Sequence, residues 1–154
     1  MSLMDEKTDG IIDISLDTIE RTKFRINGDP NAIIELNLSD LGIMERLEKG
    51  MVKLKEQMAE IAGLPDEDTD QLSARLKEAD AKMREYVDYI FDFPVSDVCA
   101  KNGTMYDPKD GKFRYESIID GLTKLYADNI NAEYQRINER LEKHTSKYTK
   151  KKRK

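Results

Sequence analysis

The chain has 154 residues with 8 Gly and 4 Pro; 37% are charged, 38% belong to the AVILMFWYC set, 7% are aromatic, and Trp is absent. This is the size of one ordinary domain and a helix-rich composition with a modest core, which excludes multidomain, collagen-like, disulfide-rich and membrane-spanning classes. The net charge of −5 is unevenly spread: past Glu142 stand seven bases and no acid, while residues 1–142 hold 31 acids against 19 bases.

An acidic body repels phosphate backbones, so nucleic acid is an unlikely partner for it, and the terminal Lys run reads as a solvated end. No apolar run approaches the roughly 20 residues a spanning helix needs, and the opening Met1–Gly10 carries acids where a signal peptide would carry bases and then apolar residues. Cys99 is the single cysteine, so no intramolecular disulfide can form, which fits a reducing compartment. These features predict a cytoplasmic protein with a disordered segment at 1–10, one domain at 11–142 and a basic tail at 143–154.

In chain order, Ile12–Leu16 alternates apolar and polar residues, the signature of a half-buried strand. Lys23–Ile26 and Ala32–Leu36 flank Asn27-Gly28-Asp29-Pro30-Asn31 and predict a β-hairpin, because Gly accepts a positive φ and Pro fixes its own. Such a hairpin is too small to be stable alone, so helices must cover it. Ser39-Asp40 opens a helix, Ser39 as cap and Asp40 at the positive end of the dipole. Its apolar residues Met44, Leu47, Met51, Leu54, Met58 and Ile61 alternate steps of three and four, which is a heptad seam. Gly50 in that helix costs about 1 kcal/mol against Ala and marks a close approach of another backbone.

Gly63 and Pro65 end the helix, Gly63 being suited to a left-handed terminus. Thr69 or Asp70 caps the next helix, whose seam runs Leu72, Leu76, Ala79, Met83, Tyr86 and Ile90. Matched seams predict an antiparallel helix pair. The aromatic stretch Tyr86–Phe93 should sit in the densest core, with Pro94 ending the helix. A turn of helix over Val95–Cys99 and a loop over Lys101–Phe113 follow, and a long last helix starts near Arg114. It carries Ile118, Leu122, Leu125, Ile130, Tyr134, Ile137 and Leu141, and past Ile130 only one apolar residue per turn remains, so that end either projects into solvent or packs on another copy. The expected class is α+β, mostly helical: an N-terminal β-hairpin packed on an antiparallel helix pair, plus a long C-terminal helix.

The residues offer no catalytic set. His144 stands beside the Lys-rich end without converging partners, Cys99 has no His or CxxC mate and reads as a small core residue, and Asp107–Gly111 lacks the ligand ladder of a calcium loop and reads as a turn. Phosphate loops, dinucleotide fingerprints and nucleophile elbows do not occur. A non-enzymatic protein without cofactor or metal is expected. What remains is the seam Met44, Leu47, Met51, Leu54, Met58 and Ile61, which serves as core, as an adaptable Met-rich binding face, or as both.

The layout resembles the tail assembly chaperones of long-tailed phages and prophages of Gram-positive bacteria. The resemblance rests on Phe24–Pro30 with Ile33-Ile34-Glu35-Leu36, the Leu38-Ser39-Asp40 helix start, Tyr89-Ile90-Phe91-Asp92 before a polar loop, and the Lys-rich end. It implies a small non-enzymatic protein of the bacterial host cytoplasm that binds and shields the helical tape measure protein until tube subunits replace it. Two other readings compete: a structural tail or connector protein that stays in the particle, and a small regulator that uses the basic tail on nucleic acid. Self-association is expected, through the Met44–Ile61 seam or through the end of the last helix.

Overall fold

The computed structural model describes residues 10–16, 20–64 and 69–152, with the side chains of residues 69 and 146–152 outside the description. In chain order the elements are β1 (Thr22–Arg25), β2 (Ile33–Leu36), α1 (Ile43–Ala62), α2 (Thr69–Phe91), α3 (Val95–Cys99), β3 (Pro108–Lys109), β4 (Lys112–Phe113) and α4 (Arg114–Lys152). The fold is mostly helical α+β, as the sequence predicts. No helix among the described residues is long and apolar enough to cross a membrane. Residues 1–9 of the expected disordered segment, Pro65–Asp68 of the interhelical turn, and Arg153 and Lys154 of the tail lie outside the described residues.

β1 and β2 pair antiparallel with Thr22 opposite Leu36 and Arg25 opposite Ile33. Asn27 and Gly28 both take positive φ, 51° and 75°, and Asp29 N–H donates to Ile26 O at 3.0 Å. That is a left-handed turn at the start of a five-residue loop, 27–31, which a second turn closes with the Ala32 N–H on Asp29 O at 3.0 Å, while the Ile26 N–H meets Ala32 O at 2.9 Å. β2 turns Ile34 and Leu36 into the core, where both are fully buried with residues of all four helices. The alternation over Ile12–Leu16 does not make a strand: residues 11–16 have no regular structure, and Ile11, Ile12, Ile14 and Leu16 are exposed. Alternation suits a strand but does not supply the free sheet edge a strand must pair with.

α1 begins later than the capping signal suggests. Asp40 Oδ1 accepts the Gly42 N–H at 2.9 Å, and no side chain caps α1 from Ser39, whose own N–H donates to Asn37 Oδ1 at 3.2 Å. Burial pushes the Asp40 carboxyl up, but Arg46 and the Gly42 N–H outweigh it and hold it below its ordinary value. At the other end Gly63 has φ −92°, so it closes α1 without the left-handed conformation, donating its N–H to Ala59 O and Glu60 O.

α2 runs antiparallel to α1: Arg46 Nε donates to Ile90 O at 3.0 Å near the start of α1, while Gln57 and Ile61 share a cleft with Ala79 near its end. α2 ends when Asp92 takes φ 51°, and Pro94 then leads into α3. Arg21 ties the hairpin to this corner by donating to Asp92 O and Asp92 Oδ2, each at 3.2 Å. Asp110 and Gly111, both with positive φ, close the two-residue hairpin β3–β4 within the loop.

α4 enters the body directly from β4, with Tyr115 N–H on Met105 O at 2.9 Å. Its buried stripe is Tyr115, Ile119, Leu122 and Tyr126, with Ile118, Leu125 and Ile130 half-buried at its sides. The expected stripe was therefore centred to one side of the true one. The Tyr126 ring meets Phe91 at 6.1 Å between centroids, and burial pushes its hydroxyl up to about 12. From Glu133 to Thr145 every residue of α4 is exposed, so the helix leaves the body and projects.

Candidate functional site

The Met44–Ile61 seam is spent mainly within the chain. Leu54 is fully buried, and Leu47, Met51, Met58 and Ile61 are partly buried against the core, while Met44 is 68% exposed. The buried line of α1 runs Ile43, Gly50, Leu54 and Gln57. Its start is one residue from the expected seam because Ile43, not Met44, faces inward. Neighbouring residues lie about 100° apart around a helix, so a shift of one moves the first position from core to solvent.

Beside this seam the structure opens a groove between α1 and α2, with a volume of about 780 Å³. Gly50 creates the close approach: a Cβ there would lie 2.5 Å from Ile90 Cγ1 and 3.6 Å from Tyr86 O, so the α2 backbone does come near, as the sequence suggested. Above that contact stand Val52, Tyr86 and Tyr89, with Glu45, Glu48, Lys49, Lys53 and Glu85 around them. Val52 and Tyr89 are exposed, so Tyr89 does not join the densest core, which takes Val87, Ile90 and Phe91 instead.

Three of the rim charges are held in ion pairs within α1, Lys49 with Glu45 and Lys53 with Glu56. Lys49 Nζ reaches Glu45 Oε1 at 2.8 Å, and the hydrogen bond holds the Glu45 carboxyl below, and the Lys49 ammonium above, their ordinary values. Apolar side chains between paired charges form an amphipathic concavity suited to another helix. Heptad spacing does not mark this groove, because it reports residues that face the core and not those beside them. The available signal was the pair of large apolar residues off the seams, Val52 and Tyr89.

A second arrangement, also missed, is polar. Arg84 on α2 is largely covered and places its guanidinium among five acceptors: Asp80 Oδ2 at 2.9 Å, Asp97 Oδ1 at 2.8 Å, Ser96 O at 3.4 Å, Ala100 O at 3.1 Å and Gly103 O at 2.5 Å. Asp80 in turn accepts the Met105 N–H at 2.7 Å, and Asp88 accepts the N–H and hydroxyl of Ser96 at 2.8 and 3.1 Å. Burial, opposed by those Ser96 bonds, leaves the Asp88 carboxyl above its ordinary value. This network fixes α3 and the loop after it onto α2. Its donors are consumed by internal acceptors, so its role is positional.

The residues weighed for chemistry stand apart. His144 is exposed on the projecting part of α4, and Cys99 lies in α3, where burial and then the charge of Asp88 push the thiol up to about 11. A thiol in that state is a poor nucleophile near neutral pH. Asp107 accepts the Thr104 hydroxyl at 2.6 Å and its N–H at 3.0 Å, which hold its carboxyl below the ordinary value and close a turn. Among the described residues no three His, Cys, Asp or Glu side chains converge as metal ligands would.

Comparison of the chain with protein-family models, curated proteins and solved structures gives no match.

Proposed function

We propose that the protein is a non-enzymatic binding protein whose α1–α2 groove takes up a helix of another polypeptide, and that it serves as a phage tail assembly chaperone shielding the tape measure protein in the host cytoplasm. The observation that carries the binding role is the groove itself: Val52, Tyr86 and Tyr89 gathered over Gly50, with charges of both signs around them. An amphipathic helix docks by laying its apolar face into such a groove. Each apolar side chain buried there would contribute about 1.5–3 kcal/mol before ordering costs, so a few suffice for a complex that later subunits can displace. The choice of tape measure protein as the ligand rests on the resemblance of the hairpin, helix start and Lys-rich end to tail assembly chaperones.

Co-expression with the tape measure protein of the same phage tests the reading. The long protein is expected to become soluble and to copurify with this chain, and Val52→Asp combined with Tyr89→Asp is expected to abolish copurification while leaving circular dichroism unchanged. If the long protein is equally soluble alone and no complex is recovered at low salt, the chaperone role falls and a structural tail protein becomes the better account.

A further inference from the structure

We infer that the projecting part of α4 pairs with the same segment of a second copy, in antiparallel orientation. α4 is held to the body as far as Asn129, whose Nδ2 donates to Leu38 O at 3.2 Å, and from Glu133 to Thr145 every residue is exposed, with only Ser39 and Leu41 of the body bordering Tyr134 and Ile137. Tyr134, Ile137 and Leu141 are 51%, 39% and 51% exposed there and follow one another by steps of three and four. They form one continuous stripe, and the next step falls on His144. Around it the surface is polar, and the Arg136–Glu133 ion pair is itself exposed and so contributes little. A narrow stripe at this spacing is the seam of a two-helix coil.

Charge selects the occupant and its direction. Asp128 and Glu133 lie where α4 leaves the body, while Lys143, Lys147 and Lys150–Lys152 follow toward its end. A parallel pair would set the Lys-rich ends side by side. An antiparallel pair sets each Lys-rich end along the acidic root of the other copy, and Arg136, Glu139, Arg140 and Glu142 between them sum to zero, so the charges at the two ends favour that orientation. The register that stacks Leu141 over Ile137 of the second copy also stacks Tyr134 over its His144, and symmetrically. It brings residue 148 of the second copy level with Ile130, beside a cleft of about 230 Å³ between Leu41 and Tyr134.

The inference needs only the purified full-length chain, so it stands or falls independently of the groove and its ligand. Light scattering and sedimentation are expected to give twice the chain mass at high micromolar concentration. Ile137→Glu with Leu141→Glu should weaken the dimer by about a hundredfold or more, by placing charges in its apolar layers, with circular dichroism unchanged because both positions are exposed. A monomeric chain, or a dimer indifferent to that double substitution, overturns the inference. Orientation is read in a Cys99→Ser background by mixing a Tyr134→Cys variant with a His144→Cys variant under mild oxidation. Disulfides between the two variants are expected; disulfides joining like variants, or none in a chain that remains dimeric, overturn the antiparallel register.

Discussion

The two ends of α4 carry similar side chains at similar spacing and meet different fates. Tyr115, Ile119, Leu122 and Tyr126 are buried, whereas Tyr134, Ile137 and Leu141, at the same alternation of three and four, stand in water. The helical period is one property and coverage is another. The first stripe faces β2, α2 and the core they enclose, while the second meets the body only at the edge of Ser39 and Leu41 and is otherwise open. A heptad signal therefore marks a surface that can be buried, and the remainder of the molecule decides whether it is.

That contrast can be broken or sharpened by substitution, with unfolding followed in denaturant at dilute concentration. Within the body, Leu54→Ala removes a fully buried side chain from the centre of α1 and should cost about 2–5 kcal/mol, the range for cavities that relax only partly. A loss below about 1 kcal/mol would mean that the α1–α2 interface collapses around the vacated site and is not closely packed. Arg84→Ala should cost about 2–4 kcal/mol, because Asp80 and three carbonyls lose their shared donor. In that variant the amides of α3 and of residues 100–105 should exchange hydrogen faster before the rest of the body does; uniform loss of protection would assign Arg84 to global stability alone. Leu141→Ala, on the projecting end, should shift unfolding by no more than about 0.5 kcal/mol where the chain is monomeric. A larger shift there would show that the stripe is covered within a single copy.

The hairpin was legible in the sequence because Asn27 and Gly28 tolerate the two positive φ angles with which its loop begins, between two apolar runs that pair as strands. The α2 seam was equally legible: Ala79, Met83 and Ile90 are buried where the spacing put them. The Met44–Ile61 seam was half legible. Its spacing named α1 correctly, but its first residue points outward, and its inner residues serve the chain's own core. The strand expected at Ile12–Leu16 failed for a different reason, since pairing needs a second edge that alternation cannot provide. Neither the Arg84 network nor the groove beside Gly50 could be read directly. Four of the groups meeting Arg84, three of them backbone carbonyls, lie 12 to 19 residues away, where only the turn through Asp92 and α3 returns them.

By itself the sequence determined what is settled within a few residues of the chain: the Asn27-Gly28 and Asp110-Gly111 turns, the helical period of α1, α2 and α4, and an acidic body followed by a Lys-rich end. These follow from backbone sterics, from hydrogen bonds spanning four residues, and from formal charge. Tertiary structure alone decided that Ile43 rather than Met44 turns inward, that Val52 and Tyr89 border an open groove over Gly50, and that α4 outruns the body after Ala132. Burial belongs to a pair of surfaces, and the second surface comes from residues distant in the chain, so no spacing along one helix specifies what covers it.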